Sequence, residues 1–220
     1  MTSGCLGVLR LDTRFPRPPG DVGNPQTWSR ASIPVRYATV VGATPQRVVV
    51  QADALLLEPF LQAARALADE GARLIATTCG FLGAYQAALA SAVSVPVLTS
   101  SLLQCARLRH PGIVTIDASA LSDAVLSGAG VPRGTPVAGV APGCEFQRRI
   151  LGNDTELDLA QAQRDVVEAA VRLVREHPQV SDVVLECTNM APYRDAVACA
   201  TGRSVVDLES VLLAAWRQLP

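Results

Sequence analysis

The stretch LIATTCGFLGAYQAALASAVSVPVLTSSLL, residues 74–103, recurs in altered form as VLECTNMAPYRDAVACATGRSVVDLESVLL, residues 184–213. With Cys79 set over Cys187, Tyr85 falls over Tyr193, Ala90 over Ala198, Val97 over Val205 and Leu103 over Val211, without a gap. Each copy reads as an apolar strand, a cysteine-bearing turn, a helix, a short strand and the start of another helix. A duplicated unit of this kind folds into two lobes that face each other, which brings one thiol from each copy to a single cleft.

The rest of the chain extends that pattern. CLGVLRL and RVVV read as strands, ADALLLEPFLQAARALADEG as a helix stopped at Gly71, and ARLIATT as a buried strand running into Cys79. VPVLTS, GIVTIDA and TPVAGVA follow as strands, with SLLQCARLRH, ASALSDAVLSGAG and ELDLAQAQRDVVEAAVRLVREH as helices between and after them. Strands with continuous apolar runs, alternating with helices, predict an α/β fold of two pseudo-symmetric lobes, each a parallel sheet flanked by helices. The expected division is residues 1–99 for the first lobe, with 205–220 returning to it, and 100–204 for the second. The active site is expected in the cleft between them.

Composition narrows the function. Half of the 220 residues are hydrophobic but only 4% are aromatic, so Ala, Val and Leu must build the core. A net charge of −1 without a basic run argues against nucleic acid or an anionic membrane as partner. The opening MTSGCLGVLRLDTRF is too quickly charged for a signal peptide, and a cytoplasmic location is expected. Lysine is absent from the chain, so neither a pyridoxal Schiff base nor a P-loop lysine is available, and no cofactor is expected. The six cysteines form no CxxC pair and suggest no metal site. Cys5, Cys105 and Cys199 read as small hydrophobes, and Cys144 as a loop residue. The partner is expected to be a small molecule bearing a carboxylate or carbonyl, and the apolar-rich lobes are compatible with a homodimer.

Residues 12–33, DTRFPRPPGDVGNPQTWSRASI, break the alternation, because four prolines and two glycines exclude a helix or central strand. The segment leaves the C-terminal edge of the first strand, where open α/β sheets bind ligands. It therefore reads as a cover anchored by Phe15 and Trp28, with Asp12 and Arg14 near substrate.

Chemistry falls to the matched cysteines. Each follows an apolar strand and precedes a helix whose N-terminus favours thiolate, while an apolar cleft favours the neutral thiol. Two facing thiols resist double ionisation, so one thiolate and one thiol are expected. One base and one acid suit proton transfer on opposite faces of one carbon. Thr78, Thr188 and Asn189 offer hydrogen-bonding groups beside them. His110 and His177 each precede a proline at a helix end and read as surface residues.

TTCGFL and LECTNMAPY resemble the two cysteine motifs of the aspartate/glutamate racemase superfamily, which includes hydantoin racemases. LDTRFPRPPGDVGNP, PVRY and PVLTSSLLQ are similar to an uncharacterised branch of it. The resemblance implies cofactor-independent 1,1-proton transfer α to a carboxylate or carbonyl, with Cys79 and Cys187 as the acid–base pair. It assigns substrate binding to Thr78, Thr188 and Asn189, and Asp12, Arg14 and Gly80 are expected to join them from their positions after the strands. Glutamate racemases typically carry Asn-Thr after the first cysteine and His after the second Cys-Thr; this chain has Gly80-Phe81 and Asn189 there. The expected activity is that of a racemase or epimerase acting on an amino acid or derivative. A hydantoin racemase, a maleate-isomerase-like cis–trans isomerase using cysteine addition and a non-catalytic binder of small acids are the alternatives.

Overall fold

The computed structural model describes residues 4–219. Two four-stranded parallel sheets of the same topology make up the molecule. The first contains β1 (Cys5–Leu11), β2 (Val35–Val40), β3 (Ala72–Thr77) and β4 (Val97–Leu98), in the order β2-β1-β3-β4. The second contains β5 (Pro111–Thr115), β6 (Val137–Gly139), β7 (Asp182–Leu185) and β8 (Ser204–Val206), in the order β6-β5-β7-β8. Helices cover the faces of both sheets, so central strands such as β1, β3 and β5 are buried almost throughout and are mostly apolar, Arg10 and Arg73 being the half-buried exceptions. In each sheet the chain order reverses beside its first strand, and α/β folds bind ligands outside the carboxyl ends of the strands at such a point.

The duplication is visible element by element. After β3 comes a tight helical turn (residues 80–85) and a helix (Gln86–Ala92); after β7 comes the same turn (residues 188–193) and a helix (Arg194–Thr201). Each copy then crosses to the other lobe. Ser101, at the start of the turn after β4, donates to the carbonyl of Leu185 on β7. The C-terminal helix (Leu208–Arg217) returns to bury Leu208 and Leu212 against Leu6, Val8, Leu74 and Ala76 of the first sheet. That return begins after β8, which pairs with β7 in the second sheet, and so lies a few residues beyond the expected position 205.

Two local expectations change. The strand expected at RVVV is a wide helical turn over residues 46–50: Arg47 bonds the carbonyl of Gly42 and the carboxylate of Asp53, Val48 and Val49 turn inward, and Val50 faces out. The strand is instead VRYATV, whose register against β1 runs from Leu6–Val35 to Leu11–Val40. The loop expected around Cys144 opens a helix (Glu145–Leu151) that Cys144 itself caps.

The 12–33 segment is an ordered cover. Trp28 is fully buried beside Val22 and Ile33 and donates its indole N–H to the Val22 carbonyl. Asn24 caps a short helix (Pro25–Ser29), and Thr27 bonds both Asp21 and Gly20. Gly20 has φ +104° and lies against Pro192 of the second lobe, so the cover bridges both halves. Trp28→Ala is expected to destabilise the protein by about 3–5 kcal/mol in urea unfolding, the usual cost of an emptied aromatic site. A loss near zero would mean the segment is a loose linker.

Candidate active site

Cys79 and Cys187 line the same cavity. Its walls are Leu11, Phe15, Pro45, Val49 and Phe81 from the first lobe, Ile116, Ile150 and Leu151 from the second, with Thr78, Glu186 and Asn189 beside the thiols. The free space is about 20 Å³, room for about one water molecule. A far larger open groove, about 730 Å³, lies over the C-terminal helix and holds Arg107 as its single titratable residue. Size alone would select that groove; the concentration of reactive groups selects the small cavity.

Close backbone approach builds the cavity. Cys79 leaves β3 in an extended conformation and Gly80 starts the helical turn. A Cβ on Gly80 would lie 2.3 Å from both the carbonyl oxygen and a carboxyl oxygen of Glu186, so only glycine fits against the second lobe. Thr188 Oγ1 donates to the carbonyl of Thr78 at 2.8 Å, tying the two cysteine loops together. Thr78 Oγ1 in turn accepts from the amide of Leu11 at 3.1 Å. Asn189 accepts from the Cys187 thiol at 3.5 Å and donates to Asp21 of the cover, which also pairs with Arg17.

Of the eight residues expected from the sequence, Thr78, Cys79, Cys187 and Asn189 reach the cavity. Gly80 and Thr188 form the seam behind it. Asp12 and Arg14 do not reach it. The Asp12 carboxylate accepts from the Gly42 amide, its backbone is held by Ala43 and Asn153, and the Arg14 side chain is exposed. Turn-building consumed Asp12, as short acids after a strand often do. The partly buried basic residue of the cover is Arg17, stacked on Phe15 with its guanidinium 4.6 Å from the ring centre.

Electrostatics revise the expected one-thiolate state. Burial first, and then the nearby Glu186, push the Cys79 thiol up to about 12; the amides of Phe81 and Leu82 and the charge of Arg17 oppose this without prevailing. Cys187 is raised well above its ordinary value, first by burial and then by Glu186 and Cys79. In the closed cavity both thiols are neutral.

Glu186 was missed in the sequence. It directly precedes Cys187, under Thr78 in the repeat, and is 1% exposed. One carboxyl oxygen accepts from Thr115 at 2.8 Å, while the other is buried without a partner. Burial raises the carboxyl from 4.5 to about 8, against the Thr115 and Ile116 hydrogen bonds that favour its ionised form. An acid closing an apolar strand immediately before a matched cysteine was the signal available.

The comparisons follow from this geometry. No family model matches the chain. An arylmalonate decarboxylase structure superposes with a TM-score of 0.62 at 17% identity, over 97% of this chain and 92% of that one. Allantoin racemase from Pseudomonas fluorescens gives 0.59 at 15% identity, over 97% and 90%. An aspartate racemase homologue from Pyrococcus horikoshii OT3 gives 0.54 at 16%, over 98% of both chains. These likenesses show that the chain has the two-lobed α/β fold of those proteins. The chain belongs to the family of the dimethylsulfoniopropionate lyase of Durusdinium sp. clade D, to which it is 30% identical over 218 residues, covering 92% of this chain and 70% of that one. Dimethylsulfoniopropionate lyase 6 of Emiliania huxleyi is also 30% identical, and the chain spans 56% of its length. Among the described residues, no helix is long and apolar enough to cross a membrane.

Glu186 binds more protons folded than unfolded between pH 4.5 and about 8, so stability falls as pH rises through that window. Glu186→Gln is expected to remove a slope on the order of a few kcal/mol, read as urea unfolding free energy at several pH values. Parallel wild-type and variant curves would show that this carboxyl ionises normally.

Proposed function

We propose that this protein cleaves dimethylsulfoniopropionate, or a close β-sulfonio carboxylate, into dimethyl sulfide and an unsaturated acid. The observation that carries the reading is the meeting of Cys79 and Cys187 in one dry cavity, in a chain of the lyase family. Carbon adjacent to a carboxylate is weakly acidic, and a desolvated thiolate beside it is a suitable base.

We assign the base to Cys79. It is the less strongly raised of the two thiols, and it has Arg17 and two backbone amides in its favour. A bound sulfonium adds positive charge to the cavity and lowers the thiol further. The thiolate takes the α-hydrogen; the C–H electron pair becomes the new carbon–carbon double bond; the β-carbon–sulfur bond breaks, and its pair leaves on dimethyl sulfide. The resulting thiol returns its proton to solvent. Thr78 and Asn189 hold the substrate carboxylate, and the 12–33 cover opens to admit it, since the closed cavity is smaller than the substrate.

A racemase reading draws on the matched position of the second thiol. Elimination needs one base, whereas inversion needs an acid on the opposite face. Proton NMR in D₂O separates the two. Dimethylsulfoniopropionate is expected to give dimethyl sulfide and acrylate, while aspartate, glutamate and allantoin gain no deuterium at the stereocentre. Cys79→Ser should lower turnover by about 10²–10⁴-fold, the range for loss of a general base, with Cys187→Ser well below that. Deuterium exchange in an amino acid or ureide without cleavage of the sulfonium, abolished equally by either substitution, would replace the lyase by the racemase.

A further inference from the structure

We propose that Glu186 is the subsite for the onium group of the substrate and restricts this enzyme to carboxylates carrying a methylated cation. Glu186 is the single formally ionisable carboxyl lining the cavity, which no Arg or His side chain lines. Its free oxygen is buried, faces no donor and adjoins Gly80 beside Cys79. A primary ammonium would need several acceptors, and the walls are Leu11, Phe15, Phe81 and Ile116. A methylated sulfonium or quaternary ammonium has no N–H to satisfy. It needs one counter-charge and apolar or aromatic contact, which this wall supplies.

The charge is created by binding. In the empty cavity the raised carboxyl is protonated near neutral pH. A permanent cation beside it favours the carboxylate, so the proton leaves as the ligand enters. The groups that face it are Cys79, Cys187 and Thr115, with the Arg17–Asp21 pair of the cover beyond Asn189. Glu186, at about 8, is the most acidic of the three and gives up its proton on binding, while the Cys79 thiolate is formed only for the chemical step. Departure of neutral dimethyl sulfide removes the counter-charge, restores the protonated acid and weakens product binding.

This inference rests on the proposed lyase reading for its substrate, but its test needs no turnover. Isothermal calorimetry compares 3-(trimethylammonio)propionate with its neutral isostere 4,4-dimethylpentanoate, in buffers of different ionisation enthalpy near pH 7. The wild type is expected to bind the cation about tenfold or more tightly, a difference of about 1.4 kcal/mol, and to release close to one proton. The isostere should release none. In Glu186→Gln the preference and the proton release should both vanish while the isostere binds as before, and the KM for the sulfonium should rise more than kcat falls. Equal wild-type affinities without proton release, which need no variant, would overturn the proposal; so would release that persists in Glu186→Gln, or equal loss of both ligands there. Cleavage of the sulfonium without a preference for the cation sinks this inference alone. A clear preference without cleavage sinks the lyase reading alone.

Discussion

The structure depends on how closely the two lobes meet. Gly80 lies against Glu186 with no room for a methyl group, Thr188 bonds across the seam to the Thr78 carbonyl, and Ser101 bonds across it to Leu185. Each contact is to backbone, which cannot rotate out of the way as a side chain can. The two cysteine loops are therefore held in one relative position, and the space between them is set by main-chain geometry. The cover meets this seam through the side chains of Phe15, Arg17 and Asp21.

That close fit has an electrostatic consequence. Three acids (Cys79, Cys187 and Glu186) share a volume with room for about one water molecule; the Glu186 charge raises both thiols, and Cys79 raises Cys187 as well. Desolvation keeps all three protonated near neutral pH, so the resting site is uncharged. A base then exists only when a substrate brings positive charge or displaces the balance. Such a site is quiet when empty, which protects its thiols from the oxidation that exposed thiolates undergo.

The fold was legible because its signals were large and repeated. Two apolar strands ending in matched cysteines, each followed by a helix, specify parallel strands and a shared cleft regardless of local errors. The errors arose where tertiary contacts overrode local pattern. RVVV has strand propensity, yet Arg47 reaching Gly42 and Asp53 winds it into a turn. Within the site, the cysteines were legible from the repeat, and Thr78 and Asn189 from adjacency. Asp12 was not separable from a ligand-binding acid, because an acid after a first strand serves a turn or a substrate with the same residue. Glu186 was passed over because a carboxylate at a strand end ordinarily faces solvent; its burial depends on Gly80, more than a hundred positions away.

Racemisation and β-elimination share their first event, loss of a proton beside a carboxylate, and part only afterwards. The lobes and thiols serve the shared event; the outcome is decided by what the other wall holds. An amino-acid substrate with two carboxylates and an ammonium would call for a cationic partner, and no Arg or His side chain lines these walls. On the proposed lyase reading, a carbanion formed there with a sulfonium at the next carbon expels a neutral, apolar sulfide, which gains from the same apolar surroundings. In that reading an apolar wall with one buried acid directs proton transfer toward bond cleavage.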